Sequence, residues 1–144
     1  MFKRLFFTAL AAAVVVGMGY AQQSTSKVTI NVKKTPAYSG KQMYTSYCAP
    51  CHGVDGRGNG PVADSLKVAP ADLSVLSNDH NGKFPATHVI SVLQFGSEAP
   101  AHGSKEMPVW GPIFGQMDHP DASQDTQALR ISNLTRYIET LQVK

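Results

Sequence analysis

Residues 48–53 read Cys-Ala-Pro-Cys-His-Gly and contain both cysteines of the 144-residue chain. A structural zinc site needs four ligands, usually from two such pairs, and the sequence has no second pair. A thioredoxin-like redox disulfide needs a strand before the motif, whereas the preceding residues have a helical pattern. A disulfide that closes so small a loop gives little entropic stabilisation. These three interpretations of the cysteine pair are therefore disfavoured.

Covalent attachment of a haem accounts for all three chemically active residues of this motif. The thiols of Cys48 and Cys51 would each add to one vinyl group of the porphyrin, and a two-residue gap on one turn of helix matches the separation of the vinyl groups. The imidazole of His52 would then be an axial ligand of the iron. The sequence therefore predicts one covalently bound haem c, which would also complete the core of a small domain.

The N-terminus has the composition of a secretory leader. Lys3 and Arg4 precede the uncharged, mostly apolar stretch 5–18, and small residues near its end suit a leader peptidase. We expect cleavage after Ala21, which places the protein in the periplasm or an equivalent compartment. The alternative is an uncleaved membrane anchor, but a span needs about 20 apolar residues and this stretch is shorter.

Three segments follow from this interpretation. The leader is 1–21, an N-terminal extension or arm is 22–37, and the single domain that would hold the haem is 38–144. Within the arm, residues 28–32 alternate apolar and polar side chains, which predicts a short strand or an extended conformation.

The charge balance does not indicate a nucleic-acid partner. The chain has 13 Lys and Arg against 10 Asp and Glu, and removal of the two basic leader residues leaves 11 − 10 = +1. No basic stripe is present and aromatic residues are few, so nucleic-acid binding is not expected. The mixed charge of the chain does not select another partner.

Helical patterns lie on both sides of the cysteine motif. A helix begins at Ser39 or Gly40 and runs into the motif, and the glycine-rich loop 53–61 follows it. Residues 62–67 have the pattern of a short helix, and 78–82 that of a polar loop.

The second half of the chain contains two further predicted helices. One begins near Pro85 and ends at Gly96, and the other runs from residue 121 or 123 to residue 141. Residues 97–120 have several prolines and glycines and no clear periodicity. A long irregular loop in a small domain usually has a function.

The order of these features resembles that of the class I c-type cytochromes, most closely the small bacterial monohaem forms. The resemblance covers about residues 38–143 and is carried by C-A-P-C-H-G-V-D-G-R-G-N-G-P, A-P-A-D-L, E-M-P-V-W-G and the terminal helix. It implies an all-α cytochrome c fold, with several short helices around the haem and the first and last helices crossing. In the family, a glycine and an aromatic residue pack there against a leucine and an aromatic residue. The corresponding residues are Gly40, Tyr44, Leu134 and Tyr137.

An electron-transfer haem needs a second axial ligand. The candidates are Met107, Met117, His102 and His119, with His80 and His88 more remote. The resemblance favours Met107, because the distal methionine of the family lies in a loop before the last helix. A thioether is a soft, neutral ligand, and Pro108 would stiffen this loop. Ligation by one histidine and one methionine raises the reduction potential of the iron relative to ligation by two histidines.

The resemblance also implies supporting residues for the haem. His52 would donate its other ring N–H to the backbone oxygen of Pro70, with Pro61 as the alternative. The side chains that would line the haem pocket, or else belong to the ordinary core, are Trp110, Tyr47 and Leu73.

These observations predict a monohaem electron carrier that cycles between Fe(III) and Fe(II) and transforms no small-molecule substrate, so it is not expected to be an enzyme. Its partners would be redox proteins, with membrane respiratory complexes as the expected electron donor and acceptor. Lys67 and Lys105 are candidates for a ring around the docking edge. The alternatives are a haem subunit of a larger oxidase or dehydrogenase, and a haem enzyme or gas-binding protein with an open sixth site.

Overall fold

The computed structural model describes residues 32–96, 107–117 and 124–143. These residues form four helical segments and no β-strand, which confirms the all-α prediction. We call them α1 (40–52), α2 (Ala86–Phe95), α3 (Trp110–Gln116) and α4 (Gln124–Thr140). Single 3-10 turns lie between α1 and α2 at Ala63–Ser65, Leu73–Val75 and Asn78–His80. In the described residues, no helix combines the length and the hydropathy needed to cross a bilayer.

The first helical segment, α1, changes its winding before the cysteine motif. Its consecutive parts are α-helical Gly40–Met43, π-helical Tyr44–Cys48 and α-helical Ala49–His52. The hydroxyl of Ser39 caps the start by accepting a hydrogen bond from the backbone N–H of Gln42 at 3.3 Å. Gly53, with a φ of 78°, ends the segment. Single π turns are uncommon in helices, but those that do occur are often found at functional sites. This one ends at Cys48.

The helices α1 and α4 cross closely at Gly40. A Cβ atom on Gly40 would overlap the backbone oxygen of Asn133 and lie 2.9 Å from the Cβ of Tyr137. The rings of Tyr44 and Tyr137 are 5.3 Å apart between centroids, and Leu134 is completely buried. The predicted packing of a glycine–aromatic pair against a leucine–aromatic pair is therefore confirmed.

Replacement of Gly40 by alanine should destabilise the protein by about 3 kcal/mol. Overpacking a well-packed contact typically costs about 1–3 kcal/mol, and the atom in the way belongs to the backbone of α4, which cannot rotate aside. Denaturant unfolding of the holoprotein measures the effect. The matched control is Thr45→Ala on the exposed side of α1, expected within about 0.5 kcal/mol of wild type. Equal stability of the two variants would contradict the close crossing.

The core of the described residues forms where α4 packs against α1, α2 and α3. Its most deeply buried apolar side chains are Met43, Tyr44, Leu93, Phe114, Ile131, Leu134 and Ile138. Arg130 of α4 is also completely buried, with Nη1 3.8 Å from the sulfur of Met43. The helix α4 thus packs against each of the other three helices in this core.

The predicted bounds of α2 and α4 agree with the structure, but the prediction of an irregular segment at 97–120 was wrong over residues 110–116. The helix α3 lies there, although Gly111 and Pro112 stand in its first turn. Proline is tolerated in a first turn because its missing N–H has no intrahelical partner. Gly111 is needed because a Cβ atom would lie 2.5 Å from the backbone oxygen of Gln94 at the end of α2.

The described part of the arm, residues 32–37, contains no strand but is tied to the helical domain. The hydroxyl of Tyr47 donates a hydrogen bond to the backbone oxygen of Lys33 at 2.6 Å and lies 2.8 Å from the hydroxyl of Thr35. The side-chain amide of Asn133 donates to the backbone oxygen of Ala37 at 3.0 Å. Residues 28–31 of the predicted strand, and the leader, lie outside the described residues.

Candidate cofactor site

A cavity of about 510 Å³ lies beside the C-terminal part of α1. Its volume is within the range of roughly 300–1,000 Å³ that is typical of ligand sites. Its walls are mainly apolar and include Leu66, Leu73, Leu76, Val89, Leu93 and Ile138. The cavity therefore suits a large apolar group.

Both thiols of the motif face this cavity, and neither forms a disulfide. Cys48 is only 6% exposed, while Cys51 is half-buried. Burial, with a smaller contribution from the neighbouring Cys51, raises the pKa of the Cys48 thiol to about 12. The Cys48 sulfur thus remains protonated at neutral pH in the packed domain.

The imidazole of His52 also lines the cavity and is held by one hydrogen bond. Its Nδ1 lies 2.9 Å from the backbone oxygen of Ala71, and because a carbonyl only accepts, Nδ1 must carry the proton. The other nitrogen, Nε2, then has the lone pair that a metal ligand needs. Burial lowers the pKa of His52, partly opposed by this hydrogen bond, and so favours the neutral ring that binds metals.

The predicted acceptor for His52 was therefore wrong. The backbone oxygen of Ala71 takes the place expected for that of Pro70 or Pro61. A Cβ atom on Gly58 would overlap the backbone oxygen of Pro70. This oxygen therefore faces the glycine-rich loop. Pro70 itself still lines the cavity.

The glycine-rich loop 53–61 folds back over the C-terminal end of α1. Backbone N–H groups of Gly58, Gly60 and Val62 donate to the last carbonyls of the helix, which belong to His52, Cys51 and Pro50, at 2.8–3.0 Å. These carbonyls have no partner within a helix, so the loop and the residue that follows it, Val62, satisfy them. The hydroxyl of Tyr44 adds a bond of 2.7 Å to the oxygen of Gly53. The loop thus fixes the backbone that carries the motif.

Met107 lines the same cavity as the motif, together with Pro108. The other methionine candidate, Met117, does not line it. Met117 packs against the core, with its sulfur 3.5 Å from the hydroxyl of Tyr47. The structure therefore brings Met107, and not Met117, to the cavity that contains His52.

Two histidines that were expected to be remote also line the cavity. The ring centroids of His80 and His88 are 6.4 Å apart, and Nδ1 of His80 donates to the backbone oxygen of Leu76 at 2.8 Å. No periodicity in the sequence relates these two positions, since a 3-10 turn and a short loop bring them together. His102, His119 and Lys105 lie outside the described residues.

Tyr47 and Trp110 form another part of the cavity wall, and the core residue Phe114 packs against both. Tyr47 and Trp110 are stacked with centroids 5.3 Å apart, and Phe114 lies 5.5 Å from Trp110 and 5.9 Å from Tyr47. Trp110 is 6% exposed. All three predicted pocket residues, Trp110, Tyr47 and Leu73, thus line the cavity.

An all-α domain with a Cys-x-x-Cys-His motif at the end of its first helix and an apolar cavity beside the motif defines a c-type cytochrome. Residues 35–123 match the family model of cytochrome c oxidase, cbb3-type, subunit III, and the chain belongs to this family of cytochrome c domains. The family binds covalently attached haem c, and a single small domain agrees with one haem. Comparison with the curated proteins gives no match. The two free thiols, the neutral imidazole and the apolar walls fit this cofactor.

Proposed function

We propose that this haem c cytochrome is a periplasmic electron carrier in which His52 and Met107 hold the iron and Cys48 and Cys51 hold the porphyrin. The observation that supports it best is that all four side chains line one cavity. The haem supplies a one-electron couple between Fe(III) and Fe(II) when it is bound. The four residues come from two separate parts of the chain, the end of α1 and the segment before α3.

The protein has two tasks in this function. It would have to keep the imidazole of His52 and the thioether of Met107 in place around a bound haem, which the hydrogen bond from His52 to Ala71 and the ring of Pro108 next to Met107 support. It must also limit the access of water, which the apolar side chains of the cavity support. No acid–base group is needed, because the transfer of an electron breaks no bond in a substrate.

The spectrum of the purified, oxidised holoprotein tests this proposal. We expect a low-spin spectrum with the weak charge-transfer band of a methionine–iron bond, together with one reversible one-electron couple. A high-spin spectrum would instead support a haem enzyme or gas-binding protein with an open sixth site. Edman or mass analysis of the mature N-terminus separates an exported protein cleaved after Ala21 from one that keeps residues 1–21 as an anchor.

A second candidate function is that of a fixed haem subunit in a larger oxidase or dehydrogenase. The family model favours it, since its description names a subunit of a cbb3-type oxidase. The chemistry of the haem would be the same in both cases, and the difference lies in the partner. Purification from membranes in mild detergent distinguishes them: a subunit co-purifies in fixed stoichiometry, whereas a carrier separates from its partners as the ionic strength rises.

A further inference from the structure

A second cavity, of about 420 Å³, lies between the N-terminal arm and the exposed side of α1. We call it the lysine groove, and its lining consists of Lys33, Lys34, Thr35, Lys41, Gln42, Thr45 and Ser46. Every one of these side chains offers a hydrogen-bond donor, and none is a carboxylate. A lining of this kind favours a negatively charged ligand.

The lysines of the described residues are concentrated in this groove. They are Lys33, Lys34, Lys41, Lys67 and Lys83, so three of the five line it. The whole chain has 13 Lys and Arg against 10 Asp and Glu, so its charge is nearly balanced and the groove is a local feature rather than part of a generally basic surface. Ammonium groups that share one concave surface add their potentials and attract anions.

Tyr47 connects the lysine groove to the cofactor cavity. Thr35, which lines the groove and is 6% exposed, lies 2.8 Å from the hydroxyl of Tyr47, and the backbone of Lys33 accepts a bond from the same hydroxyl at 2.6 Å. The ring of Tyr47 lines the cofactor cavity and stacks on Trp110. Residues of the groove therefore contact a side chain of the cofactor cavity directly.

We propose that the lysine groove is the docking site for an acidic segment of the protein that exchanges electrons with this cytochrome. The inference rests on the proposed carrier function and adds the surface and the chemistry of the partner. The volume of the groove admits a few carboxylate side chains and not a folded domain, which suits a small, transient contact that charge steers. With haem bound, one electron would pass per encounter between the partner and the cytochrome, with no proton or bond exchanged.

Binding is tested with poly-L-glutamate and the reduced, ¹⁵N-labelled holoprotein. At low ionic strength, we expect amide chemical-shift changes confined to residues 33–46. The Lys33→Gln/Lys41→Gln double variant should bind about fivefold more weakly, as expected when two exposed ion pairs are lost. The control variant Lys83→Gln removes a lysine outside the groove and should bind like the wild type.

Other outcomes would overturn the proposal. Shift changes centred elsewhere would place the acidic contact on another surface. Equal shifts with inorganic phosphate alone would identify a small-anion site, and shifts with phosphatidylglycerol vesicles but not with poly-L-glutamate would identify a lipid contact. None of these results depends on electron transfer, so they leave the spectroscopic test of the carrier function unaffected.

Electron transfer through the groove has a separate test with the anionic oxidant hexacyanoferrate(III). The double variant should be oxidised several-fold more slowly than the wild type at low salt, and the difference should vanish at 1 M salt, where the Debye length is about 3 Å. Lys83→Gln should match the wild type. If the double variant loses poly-L-glutamate binding but is oxidised at the wild-type rate, the groove is not the docking site for electron exchange.

Discussion

Replacing both Cys48 and Cys51 with serine should remove all covalently bound haem. A serine hydroxyl is a much poorer nucleophile towards a vinyl group than a thiol, and the chain has no other cysteine. The measurement is a haem stain after denaturing electrophoresis, with intact mass spectrometry, following co-expression with the haem-attachment machinery. We expect the wild type to stain and to carry the mass of one haem, and the double variant to do neither.

The two single variants sharpen this result. Each should retain one thioether and therefore stain, because each thiol reacts with its own vinyl group. The Thr45→Ala variant, which leaves both thiols intact, controls for expression and export. A stained band in the double variant would contradict the assignment of the two cysteines, and absence of stain in the wild type would contradict covalent attachment altogether.

Replacing Met107 with alanine should abolish the methionine–iron charge-transfer band and lower the reduction potential. Loss of the thioether removes a soft ligand that favours the reduced iron, and we expect a fall of about 0.1–0.3 V within the range of roughly 0.8 V that axial ligands span. The reduced variant should also bind carbon monoxide. Optical spectroscopy and a potentiometric titration measure all three effects.

The matched control for Met107→Ala is Met117→Leu. This change keeps the volume of a side chain that packs beside Tyr47 and should leave the band and the potential unchanged. If the band survives in Met107→Ala and disappears in Met117→Leu, the assignment of the ligand is wrong. A low-spin spectrum without the band in Met107→Ala would point to a cavity histidine, which the additional change His80→Ala would identify.

Local sequence patterns were sufficient to predict most of the helices. Ser39 was expected at a helix start and caps α1, while Gly96, with a φ of 84°, ends α2 as its sequence position indicated. These signals depend only on residues a few positions apart, so a single sequence contains them. The helix α3 escaped prediction because its Gly111 and Pro112 are residues that interrupt helices elsewhere. Packing against α2 explains Gly111, and its place in the first turn explains Pro112.

The details of the site depend on contacts that the sequence does not encode locally. The acceptor for His52 is the backbone oxygen of Ala71 and not that of the preceding residue, Pro70. Which of these two neighbouring carbonyls faces the imidazole depends on the path of the backbone in the folded domain. The lysine groove joins the arm to the side of α1, and the positions of His80 and His88 depend on a turn and a loop. Such arrangements arise from tertiary packing, whereas the Cys-x-x-Cys-His motif can be recognised from the spacing of its residues alone.

The burial of Cys48 has a consequence for the order of assembly. In the packed domain Cys48 is 6% exposed, and its thiol remains protonated because burial raises the pKa of the thiol to about 12. A protonated thiol is a weak nucleophile, so its addition to a vinyl group of the porphyrin would be slow in a domain that had already packed. We therefore expect the attachment enzyme to act on a chain that has not yet closed around its first helix. Haem attachment would then be a step in the folding of this domain. A chain that packed around Cys48 before attachment would not acquire its haem.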